Sequence, residues 1–194
     1  MNGTRQPRRP ARTRLLDAAE DLFYAHGIAS TGVDAVIEQA GVATGSLYKN
    51  FTGKDELVAA YLTARDIRWR AHWEACVNEQ PDPIDRVLAL FTALRSWDPG
   101  PHRGCAHLAA SLQLPEDHPG VAVVRQHKQH IADRLSRLVA DTGLPDPRET
   151  TRDLMLLYEG MMNLLALGID PDPITRAHAL ARRRLTDPTS PPIR

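Results

Sequence analysis

The sequence predicts an all-α protein: a three-helix helix-turn-helix head followed by a larger helical domain, about nine helices in all. Three observations carry this expectation. Apolar residues recur at three- and four-residue spacing along nearly the whole chain, while the strict alternation of a half-buried strand is almost absent. Asp-Pro pairs open three of the apolar-periodic stretches, at Asp82-Pro83, Asp146-Pro147 and Asp172-Pro173. Such a pair places a capping carboxylate ahead of a proline suited to the first helical turn. Finally, residues Gly27 to Lys54 read as two short helices around a glycine turn.

Residues 1–10 begin a basic arm in which Arg5, Arg8, Arg9, Arg12 and Arg14 occur with no acid before residue 15. An arm of this kind beside a DNA reader adds phosphate or minor-groove contacts. The first helix is expected over Ala11–His26, with Leu15, Ala19, Leu22 and Phe23 inward and Gly27 as its stop. Thr31 is the expected cap of the second helix, whose apolar face is Val33, Val36, Ile37 and Ala40 and whose end is Gly41. The third runs from Thr44 to Asn50. Leu47 and Phe51 fall on one side of it, and Gly45, Tyr48 and Lys49 on the other. What it exposes is small, polar, aromatic and basic, the surface of a recognition helix. The head therefore spans residues 11–53.

The second domain is expected over residues 54–186. Its first helix should start near Lys54, with Thr52 and Asp55 at capping-box spacing, and reach about Asn78. Leu57, Val58, Tyr61, Leu62 and Ala64 supply its packing face, and Trp69 and Trp73 lie one turn apart. Further helices are predicted at 83–97, 105–114, 121–141, 147–168 and 173–185. Asp85 and Glu149 stand three residues after their caps and reinforce two of these starts. Loops are expected at Trp97–Gly104 and at P-E-D-H-P-G, and residues 187–194 as a disordered tail. The helix at 149–168 is apolar nearly all round and needs cover on both sides. A stripe of Ile174, Ala177, Ala181 and Leu185 on the next helix offers a second apolar surface. A two-fold homodimer through these last two helices, closed as a four-helix bundle, satisfies both.

Composition narrows the function. Net charge is zero and the pI near 7.1, against a general nucleic-acid coat. Cys76 and Cys105 form no metal or redox motif, and nothing adjacent except Arg103 would activate Cys105. His102, Cys105, His107, His127 and His130 match no zinc spacing, so neither metal nor other cofactor is expected. A signal peptide is not expected, because the arginine-rich N-terminus lacks the apolar core of one. The longest apolar run, Leu154 to Leu167, is interrupted by Glu159, Gly160 and Asn163, so no membrane span and a cytoplasmic location are expected. No nucleophile–base motif or glycine-rich phosphate loop appears in the sequence, which leaves a helical enzyme as a remote alternative.

The pattern G-I-x-x-T-x-V, then A-G-V, then G-S-L-Y-x-x-F-x-x-K, resembles the helix-turn-helix of TetR-family transcriptional regulators over roughly residues 13–57. The resemblance implies a ligand-responsive regulator, a repressor that binds a palindromic double-stranded DNA operator as a homodimer. Matched residue by residue, it implies that Thr44, Gly45, Ser46 and Tyr48 read base edges. Lys49, Asn50 and Lys54 would hold phosphates, together with the amides following Thr31. The sequence departs from the usual pattern at Ala43, Thr44 and Gly53, which leaves Thr44 and Thr52 as substitute caps.

The resemblance also implies a pocket in the second domain for a small-molecule effector, apolar or aromatic. The candidate lining residues are Trp69, Trp73, Phe91, His107, His127, Met155, Tyr158, Glu159, Met162 and Asn163. R-G-C-A-H, followed by P-E-D-H-P and H-K, is similar to a subgroup with multidrug- or flavonoid-type inducers. The alternative is a DNA-binding regulator without an effector, its second domain serving dimerisation or a protein partner.

Overall fold

The computed structural model describes residues 9–97 and 104–187. Arg5, Arg8, His102, Arg103, most of the expected Trp97–Gly104 loop and the tail beyond Asp187 lie outside the described residues. The described residues form nine helices and no strand. In chain order they are α1 (Ala11–His26), α2 (Val33–Ala40), α3 (Thr44–Asn50), α4 (Lys54–Asn78), α5 (Pro83–Trp97), α6 (Ala106–Ser111), α7 (Pro119–Ala140), α8 (Pro147–Leu167) and α9 (Pro173–Thr186). The chain divides into two compact units, one comprising residues up to Ala64 with His107–Val124, the other Arg65–Ala106 with the chain from Arg125 onward. The boundaries fall inside α4, after the first residue of α6 and inside α7, and the first turns of α4 carry core residues of the head.

In the first unit, Leu15, Ala19, Phe23, Val36, Ile37, Leu47, Phe51, Leu57, Val58, Tyr61 and Leu62 form one buried cluster, completed by Ala110 and Val124. Phe23 meets Tyr61 edge-on with ring centroids 5.7 Å apart. The start of α4 is held by Thr52, but the acid that reaches back is Glu56 instead of Asp55. Glu56 accepts from the Thr52 amide at 2.7 Å and from its hydroxyl at 2.8 Å. These two bonds hold the Glu56 carboxyl below its ordinary pKa, with a smaller contribution from Arg12. Asp55 turns instead toward His118, 3.3 Å from its Nε2. The expected P-E-D-H-P-G loop is shorter than its turn residues suggest. His118 Nδ1 accepts the Gly120 amide at 2.9 Å, so α7 starts at Pro119.

The second unit is built on all three Asp-Pro starts. Asp82 accepts from Ile84 N at 2.8 Å, Asp146 from Glu149 N at 3.1 Å and Asp172 from Thr175 N at 3.1 Å. The acids three residues on pair with arginines: Asp85 with Arg182 at 2.5 Å, Glu149 with Arg152 at 3.2 Å. Trp73, Phe91, Leu90, Ile131, Leu135, Leu154 and Tyr158 are central in its core. The stripe Ile174, Ala177, Ala181 and Leu185 lies in this core and not on an open surface, since α9 packs on α5 and α8 of its own chain. The exposed apolar groups lie on another face: Leu156 is 68% and Leu180 40% exposed. With Leu157, Gly160, Met161, Leu164, Pro173 and Arg176 they line an apolar groove of about 220 Å³.

Inside the same unit Arg184 Nε donates to Asp153 at 2.7 Å, and the two side chains are 11% and 4% exposed. Removing one member of so buried a pair leaves an uncompensated charge. Asp153→Ala is therefore expected to lower urea-measured stability by roughly 3 kcal/mol, and the double variant Asp153→Leu, Arg184→Met to restore most of it.

Candidate nucleic-acid interface

α3 has seven residues, too few to persist in water without packing. Leu47, fully buried, and Phe51, 2% exposed, tie its inner side to the head core. The opposite side presents Thr44, Gly45, Tyr48 and Lys49, with Tyr48 59% exposed. A Cβ on Gly45 would meet no atom within 4 Å, so its glycine is not demanded by the fold. Ser46, Asn50 and Lys54 are half-buried. Asn50 Nδ2 donates to the Ser46 carbonyl at 2.7 Å, which commits one of its two amide protons inside the helix.

The turn before α3 depends on Gly41. Its φ of 58° lies in the left-handed region, and its amide reaches the Ile37 and Glu38 carbonyls. Arg14 from α1 donates to the Gly41 carbonyl at 2.7 Å. This guanidinium fastens the first helix to the turn, a role that no sequence pattern signals. Two other arginines of the basic arm are similarly engaged: Arg9 pairs with Asp17 at 2.6 Å, and Arg12 lies 5.3 Å from the Phe51 ring centroid.

Neither helix of the motif has a side-chain cap. α2 starts after Gly32 and α3 after Ala43, with no cap bond at either. Thr31 is therefore not the cap expected of it. It is 4% exposed, and its hydroxyl donates to the Gly27 carbonyl at 2.8 Å, bracing the turn after α1 from inside. Thr44 does not substitute for Ala43 either, because it already lies within α3. The leading amides of both helices are thus left without a side-chain partner, an arrangement suited to an anionic oxygen.

The ten effector candidates separate. His107 lies in the first unit, where its Nε2 donates to the Leu62 carbonyl at 3.0 Å. The other nine are in the second unit. Trp69, Trp73, Phe91, Tyr158 and Met162 are core residues, Met155 packs against them, and Asn163 is exposed. Glu159 is paired inside its own chain: Lys128 Nζ reaches its two oxygens at 2.6 and 2.8 Å. His127 Nδ1 meets Asp66 Oδ1 at 2.7 Å, and Arg70 holds the other Asp66 oxygen at 2.8 Å. Burial pushes the His127 pKa down, but the bonds to Asp66 and Cys105 outweigh it and raise the pKa above its ordinary value. Trp69 stacks on Trp73 at 6.5 Å and meets Trp97 edge-on at 5.3 Å. The indole nitrogens of Trp69 and Trp73 are both buried without a hydrogen-bond partner among the described residues.

Known proteins share this organisation. The family model for bacterial regulatory proteins, tetR family, matches residues 15–61. The crystal structure of SCO4454, a TetR-family transcriptional regulator from Streptomyces coelicolor, is 33% identical. It superposes with a TM-score of 0.84 over 94% of this chain and 97% of that one. The HTH-type transcriptional regulator SrpR of Pseudomonas putida is 32% identical over 83 residues, 38% of this chain and 39% of that protein. The HTH-type transcriptional repressor KstR2 of Mycobacterium tuberculosis is likewise 32% identical over 83 residues, 42% of this chain and 41% of that protein. The chain thus spans about two fifths of the length of these two curated relatives. A buried Leu47 beneath an exposed Thr44, Gly45, Tyr48 and Lys49, in a chain this similar to SCO4454 along nearly its whole length, makes it a member of the TetR family of helix-turn-helix DNA-binding transcriptional regulators.

Proposed function

We propose that the chain is an effector-responsive repressor that binds a near-palindromic operator as a homodimer and leaves it when a small molecule occupies the second unit. The observation that carries the DNA part is the exposed face of α3. Thr44, Gly45 and Tyr48 read base edges, Lys49 and Lys54 hold phosphates, and the uncapped amides of α2 receive another. Ser46 and Asn50 contribute at the margin, because Ser46 is half-buried and Asn50 has a proton engaged within the helix. Thr31 acts through the turn it braces and not by touching DNA. Two heads in successive major grooves set half-sites about 34–36 Å apart.

The apolar groove beside Leu156 and Leu180 supports the dimer. Exposed leucines around Gly160, with an open backbone at that glycine, suit close approach of a second α8–α9 pair. For the effector, the support is the pair of unpartnered indole donors. A buried N–H without an acceptor costs on the order of 1–3 kcal/mol, and an acceptor oxygen on a flat apolar ligand would recover it. Repression is the reading favoured by the likeness to KstR2, which is a repressor. α4 contributes residues to both units and is the element through which occupancy would alter the DNA-bound dimer.

Gly45→Ala separates folding from recognition. Helix propensity predicts stability unchanged or raised by up to about 1 kcal/mol, while an added methyl on the DNA-facing side should lower operator affinity at least about tenfold. The operator is obtained by selection from random DNA, and fluorescence anisotropy then measures both this variant and Tyr48→Ala with Lys49→Ala. Undiminished affinity in all three substitutions would overturn the DNA assignment. For the dimer, Leu156→Glu is expected to convert the chain to monomer in light scattering and to weaken operator binding with its circular dichroism intact.

A further inference from the structure

A second centre of chemistry lies in the core of the second unit, apart from the DNA-reading face. Cys105 and His127 are separated by 22 positions in sequence, yet the thiol sulfur and an imidazole nitrogen are within 4.8 Å. His127 Nδ1 is taken by Asp66 at 2.7 Å. A carboxylate only accepts, so Nδ1 carries the proton, which leaves Nε2 as the basic nitrogen of the ring. Arg70 steadies Asp66 from the far side at 2.8 Å. Nucleophile, base and orienting carboxylate thus stand together, the grouping that activates a sulfur. The backbone beneath is pinned: Gly104 has φ 74°, and a Cβ there would lie 2.7 Å from Ala166 Cβ and 2.9 Å from the Met162 carbonyl oxygen. Close contact with α8 therefore fixes where the next residue, Cys105, can stand.

We infer that Cys105 is a covalent sensing site for small soft electrophiles, α,β-unsaturated aldehydes and ketones, with His127 as its base and Asp66 as the residue that orients His127. The thiol proton passes to His127 Nε2 as the sulfur pair forms a bond to the β-carbon. The carbon–carbon π pair moves toward the carbonyl, and the resulting enolate takes the proton back from the imidazolium. The net change is addition of S–H across a double bond, with nothing oxidised or reduced. Cys105 is 9% exposed, which admits small electrophiles before bulky ones. Cys76 is the internal control: burial, then the charge of Glu79, pushes its thiol pKa up, and the histidine nitrogen near its sulfur, His72 Nε2 at 3.9 Å, lies on the Ala93 carbonyl, not on a carboxylate. Adduct formation requires only these side chains; a consequence for DNA binding rests on the effector reading above.

The test uses the full chain with methyl vinyl ketone as probe and peptide mass spectrometry to time each cysteine. Cys105 in the folded chain is expected to react at least about tenfold faster than the same thiol in the urea-unfolded chain, because unfolding disperses its base. Cys76 should react more slowly when folded. His127→Gln and Asp66→Asn, checked by circular dichroism, are each expected to slow Cys105 at least about tenfold and leave Cys76 unchanged. A Cys105 protected by folding, or one indifferent to both substitutions, would overturn the assignment. Operator anisotropy distinguishes the two readings. Rapid adduct formation with unaltered DNA binding upholds the thiol site and removes its link to the effector response. DNA release by a non-covalent compound from a chain whose Cys105 is inert upholds the effector reading and removes the thiol site.

Discussion

Seven residues make up α3, the second helix of the helix-turn-helix, and so short a helix forms only where its surroundings hold it. The burial of Leu47 and Phe51 is the constraint on which the head depends. It requires a core large enough to enclose them, and α1 and α2 alone do not complete it. The opening turns of α4 supply Leu57, Val58, Tyr61 and Leu62, and the distant Ala110 and Val124 join the same cluster. A DNA reader that looks local in sequence is thus assembled from two separated parts of the chain. That explains why the compact unit extends to Ala64 and takes in His107–Val124.

Much of this architecture was legible, because local chemistry dictates it. Each Asp-Pro pair caps the helix it precedes, and Gly41 adopts the left-handed conformation its position demands. The failures share one cause, which is that competing partners decide what a side chain does. Thr31 has a cap's chemistry, but the Gly27 carbonyl is close by and the helix starts one residue later. Asp55 has capping-box spacing, yet Glu56 reaches the Thr52 amide. The apolar stripe of α9 correctly announced burial, but periodicity does not say whether the covering surface belongs to the same chain. Here it does. Of the candidate site, the exposed face of α3 was readable from spacing, and the Arg14 contact 27 positions away was not.

The second unit shows the same limit for charges. Asp66, Arg70 and Glu74 follow one another at four-residue intervals along α4, and His127 and Arg134 lie one heptad apart on α7. The structure pairs Asp66 with His127 and Glu74 with Arg134, the latter at 2.5 and 3.0 Å. Through its bonds, Arg134 holds the Glu74 carboxyl below its usual pKa. A polar seam inside a hydrophobic unit is weak evidence for net stability, since desolvation offsets the attraction. What it supplies is register. An axial slip of α7 along α4 by one turn would separate both pairs.

Register makes the seam a sensitive place to attach chemistry. His127 has Nδ1 in the seam, on Asp66, and is also hydrogen-bonded with Cys105. A group bonded to the sulfur would occupy the space in which imidazole and thiol now meet. His127 would then have to tilt, stretching its Asp66 bond, or α7 would have to shift with it. Either response places a cost of a few kcal/mol on the present register, the scale of typical allosteric coupling. Asp66 lies two residues beyond Ala64 on the same helix that carries Leu57, Val58, Tyr61 and Leu62 into the head core. The contacts that hold α3 in shape are therefore covalently continuous with the residue that would register the adduct.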